Sequence, residues 1–118
     1  MIRFVRCVKA KPDVDTADFR RHLHSPLFTE IIDRLVTLSD AVSHKITFTL
    51  DVPLNRQLMA DRGGAEPFDA LIEVQWSHGA HLAELSESAE FNEIVRQLDE
   101  YQAQFVDFSA STRFFVED

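Results

Sequence analysis

The 118-residue sequence has little of several features that large protein classes require. It contains a single cysteine, Cys7, which excludes an internal disulfide framework. It contains three glycines and no Gly-rich phosphate loop or dinucleotide fingerprint, so we expect neither ATP nor NAD as a cofactor. No apolar run approaches the roughly 20 residues that a membrane-spanning helix needs. The sequence therefore predicts a protein without disulfide, nucleotide or membrane span.

Positive charge is also scarce, since 12 Lys and Arg stand against 20 Asp and Glu, giving a net charge of −8. Nucleic-acid phosphates require a basic surface, and the sequence has no cluster of Lys or Arg, so we expect no nucleic-acid partner. The first residues, MIRFVRCVKAKP, are interrupted by charges and lack the apolar stretch of a signal peptide. We therefore expect a cytoplasmic protein that does not contact membranes.

Strand and helix patterns alternate along the chain. Period-two alternation predicts strands over about 2–9, 41–50, 68–76 and 107–116. Helical spacing predicts helices over about 16–37 and 79–104, interrupted at Ser25-Pro26 and at Ser86-Glu87-Ser88. The order βαββαβ predicts one α+β domain over residues 1–118, a ferredoxin-like sandwich with a four-stranded antiparallel sheet and both helices on one face.

The sheet face opposite the helices mixes charged and apolar side chains. Val5, Leu71 and Phe115 are among its predicted apolar members. Because water does not tolerate such a face well, we expect a second copy of the chain to cover it, forming a homodimer. The alternative is a monomer with an open sheet. The connection 51–67, rich in turn-forming residues, is predicted to be a mobile loop.

Two polar side chains occupy strand faces that are otherwise apolar. Their apolar neighbours are Val42, Ile46, Phe48 and Leu50 around His44, and Ile2, Phe4 and Val8 around Arg6. A charge buried there costs several kcal/mol, in order of magnitude, unless it is paired. A polar pocket between sheet and helices would explain both residues. We expect apolar walls from Phe4, Phe48, Phe68 and Trp76.

Three residues are candidates for chemistry, and each has a structural alternative. Arg6 can hold a carboxylate or enolate oxygen with its planar fork, or form a salt bridge to an acidic helix residue. His24 can act as a general base, or only form the turn at Ser25-Pro26. His44 can orient a substrate carbonyl or act as an acid, or be a core or dimer-edge histidine.

A metal site is not expected. His22 and His24 are two positions apart on a predicted helix and point away from each other. His78 and His81 straddle a predicted turn and have no spaced carboxylate or cysteine beside them. Zinc and iron sites need three or four convergent ligands.

Three stretches of the sequence are together similar to the EthD-like family. They are MIRFVRC with the following Lys-Pro, the helix that carries Phe19 and His24-Ser25-Pro26, and PFDALIEVQW. The resemblance implies a dimeric α+β barrel of ferredoxin-like protomers, each with a cavity between helices and sheet, and it places the 51–67 loop near the mouth of that cavity. The cyclase branch of the wider superfamily carries a histidine where this sequence reads SESAEF, which disfavours that branch.

The resemblance implies two main functions and leaves open whether the protein is an enzyme. One is a cofactor-free oxidoreductase, isomerase or cyclase that abstracts a proton next to the carbonyl of a small apolar or aromatic compound. His24 or His44 would be the base, and Arg6 would stabilise the oxyanion. The other is a non-catalytic protein that holds an apolar metabolite for an oxygenase system. A third interpretation is a haem-binding protein, which requires an axial histidine in the cavity.

Overall fold

A computed structural model describes residues 1–118. The strands are β1 (Ile2–Val8), β2 (Ser43–Phe48), β3 (Ala70–Trp76) and β4 (Thr112–Glu117). The helices are α1 (Thr16–Leu23), α2 (Pro26–Ser39), α3 (Pro53–Ala60), α4 (Leu82–Leu85) and α5 (Ala89–Gln102), and a 3₁₀ turn at Phe108–Ala110 precedes β4. The strands form one antiparallel sheet in the order β2-β3-β1-β4, which is the predicted ferredoxin-like arrangement. No helix is both long enough and apolar enough to cross a bilayer.

Both predicted helix interruptions are confirmed, and each is made by a serine. The Ser25 hydroxyl accepts a hydrogen bond from the Phe28 N–H, and Pro26 occupies the first turn, so α2 starts anew after α1. Ser88 caps α5 in the same way by accepting from the Phe91 N–H. These caps satisfy N–H groups that have no partner inside the helix.

The core lies between one face of the sheet and the helices. Strand β3 is central to it, because Ala70, Ile72, Val74 and Trp76 alternate onto the helix-facing side and are all buried. The helical side of the core is supplied by Phe19, Leu23, Phe28, Ile31, Ile32, Leu35, Ile94, Leu98 and Phe105. Burial of each such side chain stabilises the fold by about 1.5–3 kcal/mol.

The edge strands are covered less completely than their sequence pattern predicts. Strand β2 is an edge strand, and next to it Val42 and Leu50 are 53% and 68% exposed. His44 points to the helix-facing side, opposite Val74, but it too is exposed. The strand predicted over 41–50 is thus shorter, at Ser43–Phe48, and its otherwise apolar face is only partly covered, because the helices do not extend over the full edge of the sheet.

The register of β4 also differs from the prediction. Phe115 pairs with Phe4, which places Phe115 on the helix-facing side rather than on the open face. Phe114, opposite Val5, is the residue that β4 presents to the open face. A shift of one residue exchanges the two faces of a strand, and the consecutive Phe114 and Phe115 allow either assignment.

The connection 51–67 is not a continuous loop. It contains α3, with Pro53 in the first turn. Leu54 and Leu58 lie one turn apart on this helix and are both exposed. The loop prediction was thus wrong for Pro53–Ala60, and the mobility of the segment stays a prediction.

Candidate ligand-binding site

Two arginines face each other across β1 and β4 on the helix-facing side of the sheet. Arg6 and Arg113 are direct partners in the antiparallel ladder. Beside them, between the two strands and α5, lies a cavity of about 280 Å³. We call it the arginine cavity, and it is lined by Arg6, Val8, Asp99, Phe108, Ser111, Thr112 and Arg113.

Neither guanidinium in this cavity forms an ion pair or a hydrogen bond. By contrast, Arg34, Arg56 and Arg96 each donate to a side-chain oxygen. Burial lowers the pKa of Arg6, while the negative charge of Asp99 opposes that shift and the positive charge of Arg113 adds to it. Asp99 is the only carboxylate that lines the cavity, and it is not within ion-pair distance of Arg6. The cavity therefore offers hydrogen-bond donors and positive charge to a ligand.

An aromatic surface adjoins the two arginines. The next pair along the same side of the ladder is Phe4 and Phe115, whose ring centroids are 4.9 Å apart. Phe115 is 58% exposed because β4 is an edge strand. Neither ring lines the arginine cavity, whose own aromatic wall is Phe108, 44% exposed.

His24 lies elsewhere, at the junction of α1 and α2. Its backbone N–H closes α1 by bonding to the carbonyls of Arg20 and Arg21, at 3.1 and 3.2 Å. Its exposed ring packs against the ring of Phe48, with 5.0 Å between the centroids. It borders an open groove of about 950 Å³, called here the histidine groove, lined by His24, Pro26, Thr29, Glu30, Asp33, Arg34, Thr37, Leu38, Glu90, Glu93 and Ile94.

His44 lies beside the histidine groove. Its Nε2 atom is 3.7 Å from Oδ1 of Asp33, a groove residue on α2. The structure thus places His24 and His44 near one groove and Arg6 in the arginine cavity. It does not bring the three predicted catalytic residues together. None of the five histidines lines the arginine cavity.

The four aromatic residues predicted to line a pocket lie in different surroundings. Phe4 is the next residue from Arg6 along the helix-facing side of β1 and does not line the arginine cavity. Trp76 is 4% exposed, and its Nε1–H donates to the carbonyl and hydroxyl oxygens of Ser39 in the core. Phe68 lines a separate cavity of about 350 Å³ together with Phe48 and Met59. None of the four therefore lines the arginine cavity.

Sequence reasoning missed the other two charged residues of the arginine cavity. The alternation of the sequence predicts Arg113 on the open face, one residue out of step with the observed register of β4. Asp99 follows the buried Leu98 on α5, and only the position of that helix over the sheet brings it to the cavity. No group of three or more His, Cys, Asp or Glu side chains is arranged to hold a metal ion.

Comparison with known proteins supports the fold. No protein-family model matches the sequence, and no curated protein matches it. Among solved structures, the chain is similar to an ethyl tert-butyl ether d (EthD) family protein from Bacillus halodurans, with a TM-score of 0.63 and 13% identity over 100% of this chain and 98% of that one. It is also similar to a dimeric protein of unknown function and ferredoxin-like fold from Bacteroides fragilis, with a TM-score of 0.60 and 11% identity over 99% and 95%.

These similarities confirm the predicted ferredoxin-like α+β fold. The first structure also agrees with the EthD-like resemblance of the sequence stretches. At 13% and 11% identity, a shared fold does not transfer a substrate or a reaction, which have to be argued from the site.

Proposed function

We propose that this chain is an EthD-like protein that binds a small apolar or aromatic carbonyl compound in the arginine cavity. Arg6 donates hydrogen bonds to the oxygen of the ligand, and Phe108, the aromatic residue that lines the cavity, contacts its apolar body. The cavity is of a size for a compact ligand, at about 280 Å³. The same binding is compatible with a non-catalytic accessory protein and with an enzyme that converts the bound compound.

One observation carries the proposal: the half-buried Arg6 guanidinium has no partner in the protein. A cation that is partly removed from water and left without a partner is unfavourable. The acidic chain offers 20 carboxylates, yet none lies within ion-pair distance of Arg6. A ligand oxygen supplies the missing acceptor, and Arg is well suited to hold it.

The proposal includes a homodimer formed through the open sheet face. Leu71 and Phe114 place apolar surface there, and Phe114 is 49% exposed, whereas Val5 is already buried within the chain at 9% exposed. The similar protein from Bacteroides fragilis is described as dimeric. Because the arginine cavity lies on the helix-facing side, this interface leaves it open to the ligand.

Calorimetric titration with acetophenone tests the binding site. Arg6→Met keeps most of the side-chain volume and removes the donors, so we expect it to weaken binding by roughly tenfold. Arg34→Met, in the histidine groove, is the matched control and leaves the affinity unchanged. Loss of binding in Arg34→Met with full binding in Arg6→Met would move the ligand to the histidine groove.

A second candidate function is cofactor-free proton abstraction in the histidine groove. The observation that favours it is the arrangement of His24 and Asp33 along one groove, with His44 next to Asp33. A histidine base there takes the proton from the carbon next to the carbonyl of a bound compound. His24→Ala then costs roughly 10²–10⁴ in rate. Turnover that survives His24→Ala and His44→Ala combined would exclude this candidate.

A further inference from the structure

We infer that Arg113 is a second anion-binding residue of the arginine cavity, and that the ligand class is small aromatic carboxylates rather than neutral carbonyl compounds. The inference rests on the proposed binding site and replaces the neutral carbonyl compound proposed for it with a carboxylate. Its basis is the juxtaposition of two unpaired guanidinium groups, one half-buried and one exposed, at the same rung of the sheet.

The pairing geometry brings the two side chains close together. Residues directly opposite in an antiparallel ladder have Cβ atoms about 4.5–5.5 Å apart and project to the same side. Both arginines line the same cavity. A carboxylate has two oxygens and about four lone-pair directions, so it can accept from both guanidinium groups at once.

Like charges directly opposite each other destabilise a sheet, so this arrangement needs an explanation. Several other arginines do have carboxylate partners, among them Arg96 with Glu93 and Glu100, and Arg3 with Glu73 and Asp118. At the cavity the one nearby carboxylate, Asp99, pairs with neither. The net local charge is therefore positive, in a protein whose net charge is −8.

A neutral carbonyl oxygen does not use this arrangement fully. It can accept from Arg6, but it leaves the repulsion between Arg6 and Arg113 uncompensated. An anion removes that repulsion and gains charge-assisted hydrogen bonds, which are roughly twice as strong as neutral ones. Phe108, the aromatic residue that lines the cavity, favours a flat or apolar body on that anion.

Benzoate and benzamide test the inference, because they share a ring and nearly a shape and differ in charge. We measure both affinities by calorimetry at constant ionic strength for the wild-type protein, Arg113→Gln and Arg113→Lys. Arg21→Gln is the control for loss of one positive charge, since Arg21 is exposed on α1 and lines neither the arginine cavity nor the histidine groove.

We expect the wild-type protein to bind benzoate roughly tenfold to hundredfold more tightly than benzamide. Arg113→Gln abolishes this preference while benzamide binding remains, Arg113→Lys restores part of it, and Arg21→Gln retains it. Equal wild-type affinities for the two compounds overturn the inference and leave the proposed site standing. A preference that survives Arg113→Gln overturns the role of Arg113. Binding of neither compound overturns both the inference and the proposed function.

Discussion

Arg6 and Arg113 lie directly opposite each other in the β1–β4 ladder, on the side of the sheet that faces α5, and neither has a carboxylate partner. Two like charges at one rung raise the free energy of the folded, unliganded protein. The protein thus carries a local instability at the same place where it offers hydrogen-bond donors to a ligand. The arginine pair therefore lowers the stability of the unliganded protein and favours the binding of an anion.

The first prediction follows from that opposition. Arg113→Gln removes the repulsion and is expected to stabilise the unliganded protein by about 0.2–1 kcal/mol. Urea unfolding at low ionic strength measures the change, which shrinks as salt screens the charges. Arg21→Gln, which breaks an exposed pair with Asp18, gives no such gain. A clearly destabilised Arg113→Gln protein would show that Arg113 contributes to the fold.

The second prediction concerns the dimer. Leu71 lies on the open sheet face opposite Cys7 and Thr47, and Leu71→Arg places a charge in the proposed interface. We expect the variant to sediment as a monomer at micromolar concentration, and the wild-type protein to sediment as a dimer. Leu27→Arg is the matched control, because Leu27 is 54% exposed on α2 in the helix layer. A monomeric wild-type protein would contradict the proposed assembly.

The third prediction tests whether Trp76 belongs to the core or to the binding site. Trp76→Phe removes the indole N–H, which donates to the carbonyl oxygen and to the hydroxyl oxygen of Ser39, each at 3.1 Å. We expect a loss of about 1–3 kcal/mol in the free energy of unfolding and an unchanged affinity for benzoate. Unfolding is followed by circular dichroism, because Trp76 is the only tryptophan. A large loss of affinity without loss of stability would restore Trp76 to the binding site.

The fourth prediction concerns acid. Hydrogen bonds from Arg96, and then from Gln97, lower the pKa of Glu93 from 4.5 to about 2. A carboxylate with a lowered pKa stabilises the fold above its unfolded pKa and loses that contribution as the pH falls from about 4.5 to about 2. The effect is small and sensitive to salt because the side chain is exposed.

Urea midpoints at about pH 5 and about pH 2.5 measure this contribution. Glu93→Gln is expected to show a smaller drop between the two values than the wild-type protein. Glu30→Gln, which removes an exposed carboxylate without an ion pair, keeps the full drop. Equal drops in all three proteins would show that the Glu93 pair does not persist in solution.

Much of the fold could be predicted because local signals agreed with the packing. The alternation of apolar residues predicts β3, and Ser25 and Ser88 predict helix starts. Both features are present in the structure. Helix α3 was missed although its signals were present. Pro53 marks a first turn, and the spacing of Leu54 and Leu58 is helical.

The candidate site was less predictable, because it depends on register. Which face of β4 carries Arg113 changes with a shift of one residue, and Phe114-Phe115 supplies an aromatic to either face. Arg6 was recognised because β1 has a clear alternation. His24 and His44 were recognised as unusual, yet the distance between them and Arg6 depends on tertiary packing that no local pattern encodes.

The most direct test of the arginine cavity as the binding site is an NMR titration that follows the arginine Nε–H signals while benzoate is added. Spectra of Arg6→Gln and Arg113→Gln assign the two signals. We predict that the signals of Arg6 and Arg113 shift together along one saturation curve, while the signal of Arg34 in the histidine groove stays unchanged. Saturable shifts at Arg34 with none at Arg6 and Arg113 would contradict it.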